Sequence, residues 1–361
     1  MTEKKKRAPL LLRILLKLIL TVVVCFALLI GFLSVTEYKP ADTEEIAVEG
    51  GAGRPLSAGE SFTVMTWNIG YGALGDNADF FMDGGKSVQT ADEQRVKLNM
   101  AEILSHVASV DPEILFLQEI DKNSSRSHHT NEYAMVQLGQ PTDRTFSFAN
   151  NFKVAFLPYP IPPIGKVDSG VATVSVYSVE SAQRVQLPIP FSWPVRMANL
   201  KRCVLESRIP VEGTDKELVL FNLHLEAYDS GEGKIAQTKM LAQLLQDEAA
   251  KGNYVIAGGD FNQIFSSADT DAYPAQEGKW AAGEIDVSQI EGDWQFLMDA
   301  SVPSCRSLDQ PLLGADPETF QYYLIDGFIA SANLQVESLQ TEDLGFINSD
   351  HNPVVLTVTL Q

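Results

Sequence analysis

Eighteen consecutive residues, Leu18 to Val35, carry no charge. That is close to the ~20 apolar residues a helix needs to cross a bilayer, and it divides the chain before any other feature does. Arg13 and Lys17 stand at its N-terminal edge, where long basic side chains can reach back to the headgroups. Lys4, Lys5, Lys6 and Arg7 precede it. Positive charge on that side leaves residues 1–17 in the cytoplasm and everything after about residue 36 outside. A cleaved signal peptide would have a shorter apolar core, ~7–15 residues, and a small-x-small cleavage site. The stretch "SVTEYKPAD" offers no convincing one, and Val24 is too bulky to precede a lipidated Cys25. The expectation is a single-pass cell-membrane protein with a basic tail (1–17), a transmembrane helix (18–36), a solvated linker (37–60) and a folded extracellular domain (61–361). The linker is expected from its Gly, Ala, Pro and acidic composition.

Charge narrows what the outer domain can bind. The chain carries −20 overall, and residues 1–17 hold six basic side chains against Glu3, so the remainder stands at −25. A body that acidic repels polyanions, which argues against broad nucleic-acid binding. Two cysteines lie outside the span, Cys203 and Cys305. One disulfide and two buried free thiols both fit, since no spacing rule favours either.

From Ser61 onward short apolar runs alternate with helical ones. Strands are predicted at 62–67, 113–118, 170–179, 203–211, 217–225, 254–258, 323–330 and 353–360. Residues 92–110 and 234–250 carry apolar residues at helical spacing. Strands joined both by turns and by helices imply a mixed-sheet α/β domain. His106 falls among apolar neighbours on the first of these helices and is expected to be structural.

The strand ends carry the functional signal. The first strand runs into Asn68, the second into Gln118 and Glu119, and the run 217–225 bears Asn222 and His224. "YVIAGG" leads to Asp260 and Asn262, Asp326 sits within 323–330, and Asp350-His351 precedes the last strand. One such residue needs only to solvate a strand terminus. Six strands that each deliver an amide, carboxylate or imidazole point to a shared site, because ligands of open α/β sheets collect at strand ends. Hard oxygen donors suit Mg²⁺, with Mn²⁺ or Ca²⁺ also possible. No zinc-type Cys/His spacing, phosphate loop or G-x-S-x-G turn is present.

The segments "MTWNIGYG", "LFLQEID", "NLHLEAYD", "AGGDFNQ", "LIDGF" and "SDHNPV", in that order, resemble the endonuclease/exonuclease/phosphatase superfamily over about residues 62–361. The resemblance implies a four-layer α/β sandwich, two packed mixed β-sheets with helices on the outer faces, behind the N-terminal transmembrane helix. It implies metal-dependent phosphoester hydrolysis, in which a divalent cation offsets charge developing on the phosphoester. Glu119 would be the principal metal ligand, with Asn68 completing the site and Asp350 beside the ion or its water. Asp260 and Asn262 would position water and phosphate. His351 would act in catalysis with Asp326 orienting it, and His224 would donate a proton or hydrogen bond to phosphate. Arg202 would contact phosphate, the alternative being an exposed basic pair with Lys201.

Further residues are expected near the cleft or on its loops. Asp168, Ser169 and Gly170 would edge the site. Phe80, Phe81 and Met82 would either touch lipid or form a lid packed on the domain. Arg126, His128 and His129 fall in a loop after Glu119, read as surface unless they meet an anionic substrate. The fold does not fix the substrate. The anchor and the acidic body favour a lipid-headgroup or cell-surface phosphoester over nucleic acid, with no protein partner expected. The alternatives are a surface nuclease, which a basic rim of Lys153, Lys166, Lys201 and Arg202 would support, and a non-catalytic binding module.

Overall fold

The structure, a computed structural model, describes residues 9–229, 231–269, 271–316 and 319–361. Lys4, Lys5, Lys6 and Arg7 of the expected cytoplasmic tail lie outside the described residues. The helices are α1 (Leu10–Thr36), α2 (Glu93–Val110), α3 (Glu132–Gly139) and α4 (Glu232–Ala250). The first half of the chain supplies strands β1 (Thr43–Ile46), β2 (Ser61–Asn68), β3 (Ile114–Asp121), β4 (Thr145–Leu157), β5 (Gly165–Ser175) and β6 (Ser181–Gln186). The second half supplies β7 (Cys203–Glu212), β8 (Glu217–His224), β9 (Tyr254–Asp260), β10 (Trp294–Leu297), β11 (Asp326–Ser331), β12 (Leu334–Thr341) and β13 (Val354–Leu360).

Two mixed sheets result. One runs β1-β6-β7-β8-β9-β11-β10, the other β12-β13-β2-β3-β5-β4. Each has a parallel pair inside it, β8 with β9 and β2 with β3. A parallel pair needs a crossover, and α4 and α2 supply the two. Asp92 caps α2 by accepting from the Arg95 amide, and the helix buries Val96, Met100, Ile103 and Val107. Those residues meet Met65, Trp67, Leu115 and Leu117 on the outer face of one sheet. On the other side α4 packs Leu241 and Leu245 against Val219, Phe221 and Val255. Between the sheets lie Val64, Phe116, Leu220, Ile256, Phe328 and Leu356. Helix, sheet, sheet, helix is the four-layer order expected.

Period-2 alternation decides where the site falls. The inward row of β2 reads Phe62, Val64, Thr66, Asn68, and that of β8 reads Leu218, Leu220, Asn222, His224. Along β9 it is Ile256, Gly258, Asp260, and along antiparallel β11 it is Ala330, Phe328, Asp326. The rows that build the apolar core therefore turn polar together at one end.

Residues 37–60 are not a solvated linker. β1 pairs with β6, Glu49–Gly50 pairs with the start of β4, and Leu56 is fully buried between the sheets. The outer end of α1, a helix long and apolar enough to cross a membrane, docks on the domain. Leu33 is buried, Ser34 Oγ donates to Met197 Sδ at 3.1 Å, and Glu37 meets Arg196 Nε at 3.3 Å and Lys201 Nζ at 3.7 Å. Cys203 and Cys305 are free and buried.

Candidate active site

Strand register assembles the centre. His224 on β8 lies opposite Asp260 on β9, which lies opposite Asp326 on β11. Two carboxylates facing each other across strands repel, and His351 resolves the conflict. Its Nδ1 is 2.8 Å from Asp326 Oδ2 and its Nε2 is 3.8 Å from Asp260 Oδ2. His224 Nε2 approaches the same Asp260 oxygen at 3.3 Å, and Asn68 Nδ2 donates to it at 3.0 Å. Asp260 Oδ1 accepts from the Asn262 amide at 2.9 Å, while Asn262 Nδ2 donates to Leu225 O.

The loop bearing His351 is fixed to β2. Trp67 Nε1 donates to the His351 carbonyl at 2.9 Å and Ser349 Oγ to the Asn68 carbonyl at 2.8 Å. Gly70, at φ +52, lets the backbone pass Asp350, since a Cβ there would stand 2.8 Å from Asp350 Oδ1. Glu119 reaches the centre through a bulge. The β3–β5 register steps from Leu117↔Ala172 to Ile120↔Gly170, and Glu119 adopts φ +52. The extra residue re-aims its side chain, placing Oε1 3.9 Å from His224 Nε2. Behind these groups Gln118 Nε2 donates to Asn222 Oδ1 at 2.9 Å, and Asn222 Nδ2 to the Ala172 carbonyl at 2.8 Å. Asn222 thus belongs to a buried polar layer between core and site.

Burial and charge separate the titrating groups. Burial is the largest single effect and opposes the His351 cation, but Asp326, Cys305 and Asp350 together hold the imidazole well above its usual value. His224 is driven well below its usual value by burial, then by Arg202 and His351. Asp260 is pushed up to about 7 by burial and by Asp326. Asp350 is pushed up to about 6 by burial, with Glu119 adding to the rise. One imidazole is cationic and the other neutral, a division of the kind that acid–base chemistry uses.

The donor set suits a hard divalent ion. Glu119, Asp350 and the Asn68 amide oxygen are oxygen donors, and the raised pKa values of Asp350 and Asp260 report buried carboxylate charge that a cation would relieve. Among the described residues two tight groups also have ligand atoms within 4.8 Å of one another, Asp260–Asp326–His351 and Cys305–Asp350–His351. Glu119 belongs to neither. That wider spacing is compatible with Mg²⁺, which keeps several waters and takes one or two carboxylates.

Arg202 is buried rather than an exposed cation. Its Nη1 donates to the His224 carbonyl at 3.2 Å and its Nε lies 3.4 Å from Glu226 Oε2, with the guanidinium on the cleft wall. Lys201 is buried beside Glu37, so two of the four cations expected on a rim are buried, while Lys153 stays exposed with Asp168 at 4.0 Å and Lys166 is half-buried. Ser169 lines the cleft, while Asp168 binds the Asn150 amide at 2.8 Å. His128 and His129 stay outside the centre, bonded to the Ala91 carbonyl and Asn123. His106 pairs with Glu342 at 2.6 Å and meets Trp67 edge-on, a structural position.

Arg126, expected on a surface loop, is instead tucked inward: it is bound to Asp121 at 3.0 Å, lies 3.7 Å over the Tyr71 ring and lines the cleft. Tyr228 Oη donates to Asp83 at 3.0 Å, and burial pushes Asp83 up to about 7. These came from loops, where no periodicity marks which side chains point inward. Phe80, Phe81 and Met82 pack beside the cleft, Phe81 edge-on to Tyr159 at 5.8 Å. The cleft is about 550 Å³, and Phe26, Leu29, Ile30 and Leu33 of α1 form part of its wall.

Fold and site define a phosphoester hydrolase built on two packed mixed sheets. The model of the endonuclease/exonuclease/phosphatase family matches residues 65–337, and the chain belongs to that family. Its fold is similar to an endonuclease/exonuclease/phosphatase from Beutenbergia cavernae, at 18% identity and TM-score 0.55 over 83% of this chain and 72% of that one. Truncated TDP2 of Caenorhabditis elegans aligns at 15% identity and TM-score 0.51, over 83% and 98% of the two chains. A family protein from Bacteroides vulgatus aligns at 12% identity and TM-score 0.51, over 84% and 100%. No curated protein matches the sequence significantly.

Proposed function

We propose that this protein is a membrane-anchored, Mg²⁺-dependent phosphoesterase whose substrate is a phosphoester carried by a lipid headgroup on the outer membrane face. One observation carries the substrate: the cleft holding His351, Asp260 and His224 shares its wall with Phe26, Leu29, Ile30 and Leu33 of the anchor. A nucleic-acid groove calls for cations along its rim, and here Lys201 and Arg202 are buried against carboxylates. The basic residues before α1 orient the domain outward.

Glu119, Asp350 and Asn68 would hold the cation, which when bound stabilises charge on the phosphoryl oxygens. Asp260, with a pKa of about 7, takes a proton from water as the water oxygen bonds to phosphorus. Asn262 fixes the Asp260 carboxylate through its amide. The bond from phosphorus to the leaving oxygen breaks, and that oxygen takes a proton from His351 Nε2. Asp326 on Nδ1 keeps His351 charged for this. Neutral His224 donates a hydrogen bond to a phosphoryl oxygen, and Arg202 supports it by holding its carbonyl. The test is hydrolysis by the full chain in nanodiscs of bis-p-nitrophenyl phosphate, plasmid DNA and phospholipid, each with Mg²⁺ or EDTA. Cleavage of DNA without cleavage of lipid would refute the substrate assignment.

A further inference from the structure

We infer that the domain sits partly sunk in the outer leaflet, through a second membrane-docking surface made by two loops beside α1. The inference rests on the spanning reading of α1 and deepens the proposed function by saying how the cleft meets lipid. The loop from β4 to β5 reads "PYPIPPI" (158–164) and the loop from β6 to β7 begins "LPIPFSWPV" (187–195). Neither stretch contains a charged residue, on a body whose net charge is −25 outside the N-terminal tail. Their apolar side chains are nonetheless exposed: Ile161 94%, Tyr159 68%, Trp193 62% and Val195 57%. An exposed apolar patch of this kind marks an interaction surface, and an indole with aliphatic neighbours is the composition of a membrane interface.

The occupant follows from continuity with α1. That helix has 27 residues and is exposed along nearly its whole length, only Leu33 being buried. So apolar a helix, about 40 Å long at 1.5 Å per residue, is covered only by a bilayer. The second loop packs on it directly through Met197 and Ser34. Tyr159 and Val195 line the same cleft as Phe26 and Leu33, and Phe26 lies about 15 Å below the outer end of the helix. Leu29, Ile30 and Leu33 line it too, so the two loops border the outer part of α1. Charge returns at the level of Glu37, which binds Arg196, as expected for a headgroup layer.

The test uses tryptophan quenching in the full chain, reconstituted in nanodiscs with or without lipids brominated at carbons 6 and 7. The emission lost in Trp193→Phe is the Trp193 component, and it should fall at least twofold in the brominated bilayer. A tryptophan placed on the other loop by Ile161→Trp in the Trp193→Phe background should restore a component that is also quenched in the brominated bilayer. An unquenched component in either comparison overturns the docking surface. Hydrolysis of bis-p-nitrophenyl phosphate by the wild-type nanodiscs is measured in parallel. Its absence would count against the phosphoesterase reading and leave the quenching result standing.

Discussion

Asp350→Asn is expected to make the metal-free protein more stable at pH 8 while disabling it. Burial and Glu119 push the Asp350 carboxyl from its ordinary 3.8 up to about 6. Below pH 3.8 both folded and unfolded chains hold the proton, so the group has no effect on stability. Between 3.8 and about 6 the unfolded chain ionises first and stability falls; above about 6 the full penalty remains. Two pKa units at ~1.4 kcal/mol each give roughly 3 kcal/mol. Asparagine keeps the shape and removes the ionisation. For a body of this size, 3 kcal/mol corresponds to about 5 °C in Tm. Thermal melts of the full chain in nanodiscs with EDTA should show that gain at pH 8, shrinking to about 1 kcal/mol at pH 4.5. Millimolar Mg²⁺ should raise the wild-type Tm more than that of the variant. A variant no more stable than wild type at pH 8 in EDTA would refute the claim that the site stores carboxylate repulsion for a cation.

Three further outcomes are expected. Asp326→Asn removes the charge that keeps His351 cationic; kcat should fall ~10²–10⁴-fold, in the range for lost general acid–base catalysis, with the circular-dichroism spectrum unchanged. His106→Ala should keep near-wild-type kcat and lose stability, seen as a lower Tm, because its contacts are Glu342 and the Trp67 ring. Arg202→Ala should cost about 3–5 kcal/mol of stability by stranding Glu226 in the interior, so its Tm must be measured before any rate loss is ascribed to substrate contact.

The strands that carry the site were legible because they are internal. Their inward rows are apolar until the last turn of the pleat, so "YVIAGGD" and "LVLFNLH" announce both the strand and its polar end. Strands β1 and β6 were not legible, because "TEEI" and "SAQRVQ" bury too little to show a pattern. β12 is likewise an outer strand with most of its side chains at least partly exposed. The linker reading failed for the same reason: residues 43–46 join a sheet through backbone hydrogen bonds, which composition does not record. Asp326 was placed mid-strand and instead begins β11, and that position brings it level with Asp260. Arg202 could not be read as buried, since its partner Glu226 follows β8 at a distance in sequence that no local pattern connects.

The position of the centre follows from the two crossovers. Between long strands, parallel pairing occurs among the described residues at β2–β3 and β8–β9, each pair bridged by one helix. Parallel strands present their C-terminal ends on the same side, which is where an α/β sheet collects ligands. One pair delivers Asn68 with Gln118 and Glu119, and the other delivers His224 with Asp260. Packing the sheets face to face brings the two ends together, and the Asn68–Asp260 and Gln118–Asn222 hydrogen bonds link them across the seam. Asp326 and His351 come from antiparallel strands that can only enter this end N-terminus first. They therefore carry their polar residues at strand starts rather than strand ends. That reversal is why Asp-His stands ahead of an apolar strand in the sequence: from just before β13 the His351 imidazole reaches Asp326 at the start of β11 and Asp260 at the end of β9.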